Sequence, residues 1–169
     1  MINENRNSFF INTKIIVALI IYILILTFVN NFVFTFIRVS GDSMENTLSN
    51  GNIIFVNITE NNFYKNDIVV SSVNNRRTIK RIIGVPYDLI KIAECCIVVN
   101  DKKLLCFKNN VSYFNNCVVI KEIKLNENEF FIIGDNYARS FDSRDHGAIN
   151  RSDILGIVSF RIFPYKSFR

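Results

Sequence analysis

The sequence predicts a mostly β domain held behind one long apolar helix. Three observations predict it: an uncharged run near the N-terminus, a series of short β-branched and aromatic runs after it, and no amphipathic helix of three turns anywhere in the 169 residues. That length accommodates one domain of ordinary size plus an anchor. The formal net charge is +5, but the basic residues are spread along the chain. There is no dense Lys/Arg block and no basic stripe interleaved with aromatics, so nucleic-acid binding is not expected.

The run IIVALIIYILILTFVNNFVFTFI, residues 15–37, has 23 residues and no charge. As a helix it reaches about 35 Å, against a hydrocarbon core of roughly 30 Å. A secretory h-region spans only about 7 to 15 residues, and no small-x-small cleavage site follows the run. An uncleaved transmembrane helix is therefore expected over 15–37, with Asn30 and Asn31 as its only strongly polar residues. Arg6 and Lys14 precede it and Arg38 follows at once, a small positive-inside bias. The expected order is a short cytoplasmic N-terminus (1–14), a single span, and one exported domain (38–169).

After Arg38 the texture changes. NIIFVNI (52–58), DIVVSSV (67–73), RRTIKRIIG (76–84), CCIVVN (95–100), EFFIIG (129–134) and ILGIVSFRIF (154–163) each predict a strand. VVNDKKL predicts a hairpin turning at Asn100-Asp101. Cys95, Cys96, Cys106 and Cys117 permit two disulfides in three connectivities, with free thiols as the other reading. Adjacent Cys95 and Cys96 point to opposite faces of a strand, and none of the four is expected to be catalytic.

For chemistry the chain offers one histidine, His146, in the charged stretch DSRDHGAI. That setting reads first as a solvated loop. No Cys/His spacing resembles a zinc site and no carboxylate motif resembles a calcium loop, so neither metal nor cofactor is expected. A serine nucleophile does not require histidine: a lysine serves as base if burial keeps it neutral. Lys80, inside the β-branched RTIKRIIG, shares a strand face with Thr78 and Ile82. Periodicity alone reads it first as a lysine snorkelling from a half-buried face, with a buried neutral amine as the other reading.

Four blocks in order carry a resemblance: SGDSMENTL (40–48), YKNDIVV (64–70), RRTIKRIIGVPYD (76–88) and FFIIGDNYARSFDSRDHG (130–147). Together with the upstream anchor they resemble the bacterial type I signal peptidases, membrane-bound serine–lysine proteases. The resemblance implies a β-sheet, barrel-like catalytic domain. It implies Ser43 as nucleophile, Lys80 as general base and Ser140 as the hydroxyl that helps position the lysine. It also implies a structural pair, Asp142 and Arg144, and a pocket for the small side chain before the cut, lined by Met44 and Leu48. The backbone N–H of Ser43 would serve the oxyanion hole; a second donor is left open between Gly41 and Ser40. Where the family usually has proline this chain has Asn46, where it usually has glycine Asn66 and Tyr87, and where arginine is common Tyr137.

The function so implied is a membrane-anchored serine endopeptidase that removes N-terminal signal peptides after Ala-x-Ala. Its partners would be the signal peptides of exported preproteins and membrane lipid; no oligomeric state is implied. Two other classes are weighed against it. One is a catalytically degenerate paralogue that binds exported peptides without turnover. The other is a self-cleaving regulator of the SOS-repressor kind, which the apolar span and the lack of a preceding DNA-binding domain disfavour.

Overall fold

The computed structural model describes residues 2–94, 96–106 and 118–168. Its first element is α1 (Ile2–Phe32). Twelve strands follow: β1 (Phe34–Arg38), β2 (Ile53–Asn57), β3 (Ile68–Val73), β4 (Arg76–Gly84), β5 (Leu89–Ala93), β6 (Cys96–Val99), β7 (Lys102–Cys106), β8 (Val119–Lys124), β9 (Glu129–Ile133), β10 (Ile149–Asn150), β11 (Ile154–Arg161) and β12 (Lys166–Ser167). A four-residue helix, α2 (Ser143–His146), lies between β9 and β10. All pairings are antiparallel. The larger sheet runs β1-β2-β11-β3-β4-β9-β10, with β12 on β11; the smaller runs β7-β6-β5-β8.

The expected span over 15–37 is corrected at both ends. The helix begins upstream of it and stops at Phe32, and the last four residues of the run, with Arg38, form β1. Among the described residues, no helix is long and apolar enough to cross a membrane. The physical reason for the early stop is that Phe34 and Phe36 pack across the strand pair on Phe55, with ring centroids 4.8 and 5.6 Å apart. A β-rich FTFIR segment gains more from those cross-strand contacts than from another helical turn.

The six strands read from the sequence all form, and the hairpin turns at Asn100-Asp101, both with positive φ. Asn74-Asn75 make the same kind of turn between β3 and β4. Two successive left-handed residues match the twist of flanking strands, which is why Asn and Asp sit there. Strands β1, β5 and β8 carried no separate sequence signal. The first was hidden in the apolar run and β8 alternates too few apolar residues to show a period. Cys96 is buried and free, and its Cα pairs in register with that of Cys106; Cys95 and Cys117 lie outside the described residues.

Among the described residues three large apolar clusters and a small one at Ala93 and Cys96 fill the domain. One, built on Val39, Met44, Leu48, Ile54, Val56, Ile68, Val70 and Val158, lies under the segment that carries Ser43. A second joins β3, β4, β9 and β11 through Val69, Ile82, Ile132 and Ile157. The third joins the two sheets through Ile83, Ile90, Ile97 and Phe131. Gly84 makes that junction possible: a Cβ there would lie 2.7 Å from Ile90 Cδ1 and 3.0 Å from Leu125 Cδ1.

The departures noted at 46, 66 and 87 share one conformation. Asn46, Asn66 and Tyr87 have φ of 79°, 74° and 69°. Proline cannot occupy such a φ, so the turn after Ser43 takes a path that excludes it. Asparagine tolerates the left-handed region; an exposed Tyr87 does not, and its Cβ costs roughly 1–2 kcal/mol there. Tyr87→Gly should therefore raise stability by about 1 kcal/mol, read as a higher midpoint in chemical denaturation. Tyr87→Ala, which keeps the Cβ, should not.

Candidate active site

The site forms where the segment after β1 meets the middle of β4. Residues 39–48 leave the sheet in a series of tight turns, pinned at one end by the Val39 N–H donating to Asn52 O and at the other by burial of Met44 and Leu48. This presents Ser43 to β4. There Lys80 Nζ lies 2.7 Å from Ser43 Oγ. With the amine charged the lysine donates; with it neutral the serine hydroxyl donates across the same gap.

Lys80 is 4% exposed. Burial pushes its pKa down; Asp142 opposes that shift and Arg144 adds to it. These two charges act on the amine in opposite directions, and they are paired with each other. Asp142 Oδ1 accepts from Arg144 Nε at 2.8 Å and Asp142 Oδ2 accepts from Arg144 Nη2 at 2.9 Å. Desolvation is left as the deciding effect.

Asp142 is completely buried and caps α2, accepting from the Arg144 N–H while Asp145 accepts from the Asp142 N–H. It also accepts from the Gly134 N–H at 3.0 Å, tying the loop back to the end of β9. Arg144 Nη2 reaches the carbonyls of Tyr137 and Ser140. One ion pair thus holds four backbone points of the 134–144 loop. Burial opposes ionisation of Asp142, but the Arg144 and Gly134 hydrogen bonds outweigh it and hold the carboxylate below its usual range.

Residues that the sequence reading passed over complete the site. The Asn136 N–H donates to Ser43 O at 2.9 Å, and Asn136 Nδ2 donates to Asp42 O at 3.0 Å. Asn136 thus clamps the backbone of Asp42 and Ser43 from the opposite loop. Gly134 sits between the Ser43 carbonyl and the Ser140 hydroxyl, where any Cβ would overlap both. Arg81, next to Lys80, makes a two-pronged pair with Asp135, Nε to Oδ1 at 2.8 Å and Nη2 to Oδ2 at 2.6 Å. The signal for these was present in the fragments GDN and KR, but their pairing spans 54 positions and no local pattern reveals it.

Ser140 is placed in the same loop, yet it makes no hydrogen bond to Lys80. Its Oγ is buried and, among the described residues, meets no partner at hydrogen-bonding geometry. It lies near enough to the Asp142 carboxylate to help lower that pKa. Leu48 is fully buried in the core beneath the site, carried inward by the turns after Ser43, and is not among the residues lining the cleft. Met44 is 2% exposed and does line the cleft. His146 ends α2, with its ring 5.6 Å from that of Phe141.

The cleft at Ser43 has a volume of about 350 Å³ and lies between residues 37–44 and 77–80. A second pocket of about 260 Å³ continues from it, sharing Ile37 and Arg77 and adding Thr35, Val56, Ile58 and Val70. β4 pairs with β9 only from Arg81 onward, so among the described residues its first half, which lines the cleft at 77–80, has no strand partner on that edge. The N–H of Ser43 makes no hydrogen bond among the described residues.

Comparison with known proteins gives consistent matches. Residues 12–163 match the family described as Signal peptidase, peptidase S26. The chain is 31% identical to Signal peptidase I of Bacillus amyloliquefaciens over 163 residues, 90% of this chain and 88% of the relative. It is 30% identical to Signal peptidase IB of Staphylococcus aureus (strain COL) over 174 residues, 91% of each. A crystal structure of a signal peptidase I from Enterococcus faecalis V583 aligns with TM-score 0.44 and 22% identity, covering 57% of this chain and 97% of that one.

The Asp142–Arg144 pair generates a stability prediction. Asp142→Ala leaves Arg144 partly buried without its partner, and should cost roughly 3–5 kcal/mol. The pH dependence has a definite sign. Because the folded pKa of Asp142 is depressed, its ionisation stabilises the fold fully above the unfolded value of about 3.9. That contribution is lost as pH falls through the folded value. Thermal melts from pH 7 to pH 2 should show a smaller acid-induced loss in Asp142→Ala than in the unaltered chain.

Proposed function

Because this chain belongs to the signal peptidase S26 family, we propose that it is a membrane-anchored serine endopeptidase that removes signal peptides from exported proteins, with Ser43 as nucleophile and Lys80 as general base. Family membership makes it a peptidase of signal-peptide processing. The mechanism and the anchoring are the proposal. The observation that carries it is the 2.7 Å contact between Ser43 Oγ and a buried Lys80 amine.

In this reading the neutral amine takes the Ser43 proton as Oγ attacks the carbonyl carbon. The free Ser43 N–H lies on the nucleophile itself, positioned to donate to the developing oxyanion. Ser40 and Gly41 line the same cleft and are the candidates for a second donor. Lys80 then passes the proton to the leaving amine, and the signal-peptide side remains as an ester on Ser43. A water deprotonated by Lys80 hydrolyses that ester and restores both groups. His146 takes no part.

The free edge of β4 supports binding of an extended peptide by strand addition. Side chains of such a peptide alternate, so two that are two residues apart point the same way. The cleft at Ser43 and the adjoining pocket offer two places for them, as cleavage after Ala-x-Ala requires. Met44 and Ile79 form apolar wall at the first.

For anchoring, the exposed face of the α1 side chains is apolar from Ile15 to Phe28, and α1 is followed by β1 after a single residue. Phe34, Phe36, Phe55, Phe160 and Tyr165 continue from it as a chain of ring contacts across the sheet. Ile53, Ile162 and Phe163 are exposed beside them. Aromatic rings at the end of an apolar helix fit the interfacial zone of a bilayer. The cut would then fall close to the membrane that holds the substrate.

Purified membranes and a presequence with Ala-x-Ala test the reading. Ser43→Ala should abolish cleavage while insertion persists. Lys80→Arg should be as inactive as Lys80→Ala, because a guanidinium does not give up its proton, and His146→Ala should retain most activity. An active Lys80→Arg with an inactive His146→Ala would point to histidine chemistry. The degenerate-paralogue reading predicts binding with no turnover in the unaltered chain.

The pH profile tests Lys80 more closely. Its depressed pKa makes the neutral amine available at lower pH, so kcat/KM should rise with pH along a limb set by Lys80. Arg144→Gln leaves the negative Asp142 unbalanced beside the amine, which favours the ammonium form. That limb should move to higher pH in Arg144→Gln, with the plateau recovered above it if the loop stays folded.

A further inference from the structure

Asn136 sits behind the nucleophile. It is half-buried, and it is not among the residues lining either cavity beside Ser43. Its Nδ2 donates to Asp42 O at 3.0 Å, while its own N–H donates to Ser43 O at 2.9 Å. Facing a carbonyl, only the nitrogen of that side chain can donate, which fixes which way the amide is turned.

The carbonyl it holds has a direct link to the nucleophile. Asp42 C=O and Ser43 N–H are the two ends of one planar, trans peptide unit, in which they point in opposite directions. With the carbonyl drawn toward Asn136, the Ser43 N–H is turned away from it, and it meets no acceptor among the described residues. One other printed donor reaches Asp42 O, the Glu45 N–H at 3.0 Å, across the turn 42–45. That bond is local and moves with the turn. Asn136 ties the peptide instead to a loop that Asp142 fastens to the end of β9. A donor on the carbonyl also polarises the peptide, which strengthens the N–H at its other end.

Resting on the peptidase reading above, we infer that Asn136 is a positioning residue that aims the Ser43 N–H at the oxyanion by holding the carbonyl of the same peptide. It exchanges no proton and does not line the cleft. Arg139 is the comparison. Its Nη1 lies 3.0 Å from Asp42 Oδ2, so it joins the same loop to the same residue through exposed side chains. A role that merely ties the two segments together would be shared by both. Aiming the peptide belongs to Asn136 alone of the two, because Arg139 holds the carboxylate and not the carbonyl.

The experiment separates transition state from ground state. Affinity for an uncut presequence peptide is measured on full-length Ser43→Ala protein in detergent, with and without Asn136→Ala. Cleavage is measured with Ser43 intact, as is inhibition by a peptide aldehyde ending at the residue before the cut. Ser43 Oγ adds to the aldehyde carbon, its proton passes to Lys80, and the carbonyl oxygen becomes the oxyanion. Asn136→Ala should lower kcat about tenfold, less than the roughly 10²–10³ lost when an oxyanion donor is removed outright. Aldehyde inhibition should weaken by the same factor, while KM and the affinity for uncut peptide stay within about twofold. Asn136→Asp keeps the size without the donor and should lose rate likewise. Arg139→Gln should keep most of the rate. The pH limb set by Lys80 should not move in Asn136→Ala, which alters no charge. A full rate in both Asn136 variants, an affinity loss as large as the rate loss, or an equal rate loss in Arg139→Gln would overturn the inference. An unaltered chain that neither cuts the presequence nor binds the aldehyde would overturn the peptidase reading, and this inference with it.

Discussion

The desolvation of one amine organises this molecule. Lys80 contacts Ser43 only because β4 carries it into a closed interior between the larger sheet and the turns after β1. An ammonium in that place would need a counter-charge, and the nearest carboxylate, Asp142, is already bound to Arg144. Pairing the two charges with each other sets their effects on the lysine against one another. Burial then pushes its pKa down, and the Ser43 hydroxyl lies beside it.

Holding that arrangement requires parts far apart in sequence. The segment with Ser43 has no regular hydrogen-bonded structure of its own, so it is fastened from outside. Met44 and Leu48 anchor it from below, and Asn136 grips the carbonyls of Asp42 and Ser43 from across the cleft. The 134–144 loop is in turn fastened by Asp142 to β9 and by Arg144 to its own carbonyls. Gly134 is small because the two layers meet at that point. The same economy places left-handed residues at Asn46, Asn66 and Tyr87, where turns must close tightly next to strands that carry the site.

The short connection between α1 and β1 gives this interior a direction. One residue separates the helix from the sheet, and only four separate the end of β1 from Ser43. Aromatic contacts spread from β1 to β2 and β11 on the same side. A rigid sheet therefore stands between the apolar helix and the nucleophile, so the distance between them is set by strand geometry.

Much of this was legible without coordinates. Six strands were marked by β-branched runs, the Asn100-Asp101 hairpin by its turn residues, and the two side chains that meet at 2.7 Å, Ser43 and Lys80, by four ordered blocks around them. These are local patterns, readable within about ten residues of chain. The end of the helix was not legible, because FTFIR is as apolar as the run before it, and only the partner strand β2 shows that it is a strand. The full burial of Leu48 beneath the site was not legible, since its direction depends on turns whose φ values no composition reveals. Whether Lys80 snorkels or is buried was open from periodicity, and the packing of distant strands closed it. Asn136, Gly134 and the Arg81–Asp135 pair stayed invisible for the same reason. The sequence by itself determined which runs form most of the strands and which side chains are candidates for chemistry. Which of those side chains meet, and in how dry a place, was decided by tertiary structure, because desolvation and pairing are properties of neighbours that the chain brings together only on folding.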